Sequence, residues 1–402
     1  MKIVLITPGQ PAINPRIVKE ADTLTKAGHE VTVLYSYWID WATEADNSIF
    51  KNAAWQHQRI GGTKTANKLV YWATRMRFKM ANLLNSLVGN NFGMAELAQA
   101  RCYTELKKEA KKIKADWYIG HNLGALAVAV HAAKYHDAKA GFDFEDYHRE
   151  ENSDMPLHEK RRVVYLEQKY IPQLNYISSS SQLITAKVSL NFPSFKNPVL
   201  TLMNCFRVAD QPAFRENIPG NELRLCWFSQ TVGKNRGLEI LIDALQQIND
   251  QSIHLTLAGR CNPDMIGYID QHAGSIRNCI HLAGIIQPND LPEFAAGFHI
   301  GLALETGFST NNDIALSNKI FTYLLAGNAV ILSETSMQDA FNKEYHIGES
   351  FKPGDMNGLM EKIMLYKNRD ILNKQRAYNH KLAAEQLNWE KESAKLLAIV
   401  YK

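Results

Sequence analysis

Cysteine is scarce and unpatterned in this chain. Its five copies, Cys102, Cys205, Cys226, Cys261 and Cys279, fall at no paired metal spacing. An odd count in mostly apolar surroundings favours reduced, buried thiols over a disulfide scaffold, as in a cytoplasmic protein. Long hydrophobic runs are missing too. None approaches the roughly 20 residues that span a bilayer, and the opening MKIVLITPG is interrupted by Pro8 and Gly9 before it reaches signal-peptide length. The expectation is a soluble cytoplasmic chain, or one lying peripherally on the inner face of the membrane. Neither sign of charge dominates: 45 Lys and Arg against 41 Asp and Glu leave a formal +4, so nucleic acid is not an expected partner. Low-complexity tracts and short repeats are absent. So is the G-x-G-x-x-G fingerprint of a dinucleotide cofactor. No cofactor and no metal site are expected.

What remains is an alternation of buried strands and amphipathic helices over 402 residues, long enough for two or three domains. Lys2–Thr7 has the pattern of a buried strand. Asn14 then caps a helix with Pro15 at its first position and Gly28 past its end, and a second strand follows at 30–35. This is the size of a Rossmann-like βαβ opening. Further strands are predicted at 116–120, ending in His121-Asn122-Leu123-Gly124, and at 140–144, ending in Glu145-Asp146-Tyr147-His148. The polar, proline-bearing stretch 209–221 is the expected linker. Beyond it the pattern restarts: a strand at 223–228, a polar loop at 229–236, a helix, a strand at 254–257 ending in Gly259-Arg260, and a strand at 280–282 followed by Gly284-Ile285-Ile286. The expected fold is therefore α/β, two Rossmann-like domains facing each other across a cleft. Residues 1–208 form the first, 209–388 the second, and a final helix at 389–402 packs back on the first.

The stretch 305–332, ETGFSTNNDIALSNKIFTYLLAGNAVIL, organises the second half. Ser317 is placed to cap a helix over 318–326, Ile320, Phe321, Leu324 and Leu325 form its apolar stripe, and Gly327 supplies a left-handed stop. With strands on both sides, the helix start falls at the carboxyl edge of a parallel sheet, where free N–H groups and Lys319 can hold a phosphate or diphosphate. The plain alternative is a cap and a solvated lysine. Gly9 is either part of an acceptor-receiving loop or a turn glycine, and His121 is either a functional acid, base or hydrogen bonder or a structural residue. Between 37 and 114 the pattern is less regular. There Leu69, Trp72, Met76, Met80, Leu83 and Leu87 recur at helical spacing with Lys68, Arg75 and Lys79 among them. Such a helix either packs on its own domain or lies in a membrane interface.

These residues resemble retaining glycosyltransferases of the GT-B fold, glycosyltransferase family four (glycosyl transferases group 1). The segments NPRIVKEADTLTKAGHEVTVLY, GHNLGAL, WFSQTVGKNRGLEILIDAL, LTLAGR, HLAGIIQPNDLPEFAAGFHIGLALE and SNKIFTYLLAGNAVIL follow in that family's order. The final WEKE resembles its returning tail. The resemblance implies retaining, metal-independent transfer of a sugar from a nucleotide-sugar donor, held by the second domain, to a glycan or lipid-linked acceptor held by the first. Cell-surface polysaccharide synthesis is the implied setting. It puts Gln230, Gly233, Lys234 and Arg236 at the phosphate loop, with Gln230 where the family commonly has arginine and Arg236 where it has lysine. Gly259, Arg260, Ile285 and Ile286 would border the base, and Ser317, Asn318 and Lys319 the diphosphate. His121 and Glu305 would lie near the sugar, and Gly9, Asn14 and Glu145 near the acceptor. The family's paired glutamates, eight positions apart, are not present: Thr322 stands in the second place and Glu305 lies seventeen residues earlier, with Asp313 a substitute candidate. Two rival readings follow, a sugar-nucleotide epimerase on the same fold and a non-catalytic nucleotide-binding partner of another transferase.

Overall fold

The structure, a computed structural model, describes residues 1–401. It divides into two compact units, one of Met1–Leu202 with the chain from Lys395 onward, the other of Met203–Ala394.

The first unit is built on seven strands: β1 (Lys2–Thr7), β2 (Glu30–Ser36), β3 (Gln56–Ile60), β4 (Trp117–His121), β5 (Lys139–Phe144), β6 (Tyr176–Ser179) and β7 (Val199–Thr201). Their order is β3-β2-β1-β4-β5-β6-β7, and every neighbouring pair is parallel. A parallel sheet needs helical crossovers that cover both faces, which is why the central strands read as unbroken apolar runs. Strand order reverses between β1 and β4, the place where open α/β sheets form a ligand crevice at the strands' carboxyl ends. The helix Pro15–Lys26 follows β1. Its N-cap is Asn14, whose side chain accepts from the Ile17 amide at 3.3 Å. Ile17, Ala21 and Leu24 pack with Ile3, Leu5 and Ile119 in a core that Leu396 and Val400 of the last helix, Trp389–Val400, also enter.

The irregular segment between β2 and β4 is more ordered than its sequence pattern implies, with helices at Asp40–Asn52, Lys68–Val88, Met94–Gln99 and Tyr103–Ala110. The helix Lys68–Val88 forms where its periodicity places it, but it packs through its other face. Tyr71, Thr74, Ala81 and Asn85 are buried, whereas the Leu69, Trp72, Met76, Met80, Leu83 and Leu87 stripe is exposed.

The second unit carries β8 (Leu223–Val232), β9 (Ile253–Cys261), β10 (Ile280–Gly284), β11 (Ile300–Ala303), β12 (Ala329–Ser333) and β13 (Gly348–Phe351) in the order β10-β9-β8-β11-β12-β13, again all parallel. Its switch point lies between β8 and β11. The expected polar loop at 229–236 is shorter than the sequence suggests. β8 runs on through Val232 across an irregularity between Phe228 and Thr231, and pairs Thr231 with Arg260 and Val232 with Cys261. Gln230 therefore sits in a strand, and the loop proper is 233–237. The mixed polar sequence SQTV hides this extension because a bulge breaks the alternation that marks a strand.

Candidate functional site

The second unit concentrates polar groups at the carboxyl end of β11. Past Ala303 the chain makes a loop, a short helix Thr310–Ile314 capped by Ser309, and then the helix Asn318–Ala326, which Gly327 ends at φ 73°. Glu305 is the hub of this turn. Its carboxylate accepts from Asn312 Nδ2 at 3.2 Å, Ser317 Oγ at 2.8 Å and Lys319 Nζ at 2.9 Å. Burial alone would raise the Glu305 pKa, but the Lys319 ammonium and these donors hold it at about 2. The group is an ion at any working pH.

This geometry corrects one expectation. Ser317 stands at the N-cap position but makes no side-chain cap bond: its hydroxyl is turned towards Glu305, to which it donates at 2.8 Å, and away from the helix amides. The consequence is chemical: among the described residues nothing accepts from the amides of Asn318 and Lys319, so the helix start keeps free N–H groups and its positive dipole end. Lys319 also lies 5.4 Å from the Trp227 ring centroid. Asp313 is turned elsewhere, accepting from the amide and hydroxyl of Ser336 at 2.8 and 2.6 Å. Thr322 is 2% exposed, buried in the unit rather than presented at the sheet edge.

The loop after β8 closes on the same end of the sheet. A Cβ on Gly237, at φ 74°, would lie 2.8 Å from the Leu304 carbonyl oxygen, so only glycine lets the loop rest against the end of β11. A Cβ on Gly259, at φ 137°, would lie 2.1 Å from the Ser229 carbonyl oxygen, which fixes the end of β9 beside β8 in the same way. Arg236 donates to Ser229 Oγ at 3.0 Å. Gln230, Lys234 and Arg260 are exposed and Gly233 is buried, while Lys234 leans over the Tyr268 ring at 5.5 Å. Ile285 is exposed and Ile286 half-buried just past β10.

Gly9, Asn14, His121 and Glu145 belong to the first unit. The Asn14 side chain is taken up as a helix cap. Gly9 follows β1 and accepts at its carbonyl from the Ser36 amide. His121 has no exposed surface: Nε2 faces Glu20 at 3.2 Å and Nδ1 faces Asp143 at 3.6 Å. Asp143 in turn takes two bonds from Arg16, at 2.7 and 2.6 Å, and one from Ser178 Oγ at 2.7 Å. Burial would lower the His121 pKa, but the Glu20 and Asp143 carboxylates raise it to about 10. Burial opposes ionisation of Asp143, yet Arg16 and His121 hold it well below the usual carboxylate range. The set Glu20, His121 and Asp143 has its ligand atoms within 4.8 Å of one another. Arg16 occupies both Asp143 oxygens, so the arrangement is an ion network rather than a vacant cation cage. Beside it Asn122 adopts φ 64° and ψ 148°, a strained conformation for a side-chain-bearing residue, and its amide reaches Glu145 at 3.4 Å. Burial and the neighbouring Asp146 push the Glu145 carboxyl up to about 8.

Sequence reasoning singled out His121 but missed Arg16, Glu20 and Asp143. The signal was present. Arg16 and Glu20 stand one helical turn apart on the flank of an inward-facing stripe, and Asp143 interrupts the apolar strand AGFDF.

The network sets a pH dependence. His121 has a folded pKa above the 6.5 of a free imidazole, so its contribution to stability is complete below about 6.5 and is lost as pH rises towards about 10. Glu145 has the same sign, because a carboxyl kept protonated when folded loses stability as pH rises from 4.5 to about 8. Urea midpoints for the first unit are expected to fall through this alkaline range, and His121→Asn to flatten the part between 6.5 and 10. A flat wild-type profile would contradict the assignment.

No family model matches the chain, and no curated protein is similar to it at the sequence level. Solved structures are similar in fold. The Anabaena protein Alr3699/HepE in complex with UDP superposes with a TM-score of 0.71 at 13% identity, covering 100% of both chains. The fold is GT-B. Sucrose-phosphate synthase from Thermosynechococcus elongatus gives a TM-score of 0.73 at 12% identity, covering 100% of this chain and 98% of that one. TarM gives 0.68 at 12% identity, covering 99% and 98%. At such identities the likeness is one of GT-B architecture, and the chemistry rests on the residues themselves.

Proposed function

We propose that this chain is a metal-independent glycosyltransferase that moves a sugar, with retention at the anomeric carbon, from a nucleotide-sugar donor to a glycan or lipid-linked acceptor. Cytoplasmic work in cell-surface polysaccharide synthesis suits such a substrate pair. One observation carries the reading: Glu305, Ser317 and Lys319 meet at a helix start with two free amides, at the switch-point edge of a GT-B second unit. Breaking a sugar–phosphate bond leaves negative charge on the nucleoside diphosphate. Fixed N–H groups and cations aimed at that charge stabilise it without reorganising during the reaction. Here those groups are the amides of Asn318 and Lys319, the Lys319 ammonium and Arg236. Support for a uridine nucleotide comes from HepE, whose solved complexes hold UDP and UDP-glucose. Gln230, Gly233 and Lys234 would flank the phosphates, and Gly259, Arg260, Ile285 and Ile286 the base. His121 acts from within the ion network, holding the ends of β4 and β5, and Glu145, Gly9 and Asn14 border the acceptor side of the first unit.

Calorimetry with UDP, GDP and ADP tests the reading first, and donor turnover tests it second. Binding of one nucleotide, followed by hydrolysis of its sugar conjugate, is the expected result. If none of the three binds, the reading fails. The buried Thr322 and the carboxylate already paired with Lys319 favour a second reading, a non-catalytic nucleotide-binding partner of another transferase. Binding without turnover across a broad donor panel would select it.

A further inference from the structure

The helix Lys68–Val88 is amphipathic in the wrong sense for a packed helix. Its inward face is polar and fully engaged: Thr74 accepts from Arg101 at 2.7 Å, Arg77 pairs with Glu105, and Asn82 and Asn85 accept from Arg162 at 3.0 and 3.3 Å. Its outward face is Leu69, Trp72, Met76, Met80, Leu83 and Leu87, exposed by between 57% at Met80 and 88% at Leu69. These positions advance by three or four residues, so they form one continuous stripe along a helix of 21 residues, roughly 30 Å long. Isolated surface leucines need no explanation, but an unbroken apolar ridge of this length marks something that covers it.

Three further observations say what. Lys68, Arg75 and Lys79, all exposed, line one flank of the stripe at helical spacing, and the helix contains no Asp or Glu. The turn after the helix holds Phe92 at φ 55°, a strained backbone for an aromatic residue, and the residue is 96% exposed. Asn85 Nδ2 donates to Asn90, and Asn90 to the Arg161 carbonyl, at the rim of a groove of about 480 Å³ that presents Arg161, with Lys160 beside it paired to Glu150 at 3.1 Å. Aromatics and leucines on one side with cations at the edge match a bilayer interface, where rings sit at headgroup depth and lysines and arginines meet lipid phosphates. A second copy of the chain fits poorly. A two-fold contact places each patch against itself, and the helix offers Lys68, Arg75 and Lys79 with no carboxylate of its own to receive them. No helix among the described residues is long and apolar enough to cross a membrane, so the helix would lie on the surface.

We propose that the exposed face of Lys68–Val88, with Phe92, docks this protein onto an anionic lipid bilayer. The proposal does not depend on the transferase reading. Its test is co-sedimentation of the full chain, without donor, with vesicles of phosphatidylcholine and phosphatidylglycerol and with phosphatidylcholine alone. The chain is expected to pellet with the anionic vesicles and to be released by salt. Trp72→Glu with Met76→Glu should abolish pelleting, as should Leu83→Glu alone. Arg75→Gln and Lys79→Gln should each weaken it about fivefold. All these side chains are exposed, so melting temperatures should hold and report that folding is intact. Absence of pelleting by the wild-type chain, or pelleting by the glutamate variants equal to wild type, overturns the proposal. So does a concentration-dependent dimer in sedimentation velocity that Trp72→Glu dissolves, which would give the face to a second copy.

Discussion

Asp143→Ala is expected to destabilise the first unit by about 3–5 kcal/mol, the range measured when one partner of a buried ion pair is removed. The size follows from what stays behind. Arg16 has no exposed surface and keeps its charge, and without Asp143 its guanidinium retains the Leu202 carbonyl at 2.5 Å as its remaining close partner. His121 would also lose one of the two carboxylates that hold its proton. Asp143→Asn should cost less than the alanine because it keeps the volume and one acceptor oxygen for Arg16 or Ser178. Replacing both partners, Arg16→Met with Asp143→Leu, should be milder than either single change summed with the other, since no orphaned charge is then buried. Urea unfolding of the whole chain, followed by fluorescence of the buried Trp55 and Trp117, reads these differences. A loss under about 1 kcal/mol for Asp143→Ala would show that the network is worth no more than a surface pair.

The same network shows why part of the molecule could be read from its sequence and part could not. Strand and helix periodicity depends on neighbours close in the chain, so the βαβ opening, the Asn14 cap, the helix Asn318–Ala326 and its glycine stop were all legible. Arg16 and Asp143 are 127 positions apart, and no local pattern says that they meet. Glu305 and Lys319 were both visible as candidates, but their bond depends on how the fourteen-residue turn folds back, which the short helix Thr310–Ile314 decides. The same fold-back brings Glu305 to Ser317, whose hydroxyl turns to it and away from the expected cap. The stripe from Leu69 to Leu87 reads as a packing face under the ordinary rule that apolar residues face inward. It faces out because Arg101, Glu105 and Arg162 claim the polar side of the helix. Periodicity gives the helix but not which of its faces is inside.

The Lys319–Glu305 bond leads to the second large effect. Lys319→Ala is expected to lower donor turnover by about 10²–10³, the range for losing one fixed donor to developing charge, and to weaken nucleoside diphosphate binding as well. Glu305→Gln should split those two readouts. The Glu305 carboxylate lies 2.9 Å from the ammonium and neutralises it. A diphosphate arriving at the amides of Asn318 and Lys319 competes with that carboxylate for the same cation, and meets its negative charge. Glutamine keeps the shape and an acceptor for Ser317 but removes both effects, so UDP should bind the variant more tightly than wild type. Turnover should nevertheless fall, because the charged hub that fixes Ser317, Asn312 and Lys319 is gone and the donors lose their preorganised geometry. Titration of both variants with UDP, paired with a donor-turnover assay, gives four numbers whose signs are set in advance. Weaker UDP binding to Glu305→Gln would mean that the carboxylate contacts the nucleotide side of the ligand directly. Unchanged turnover in Lys319→Ala would remove the helix start from the chemistry altogether.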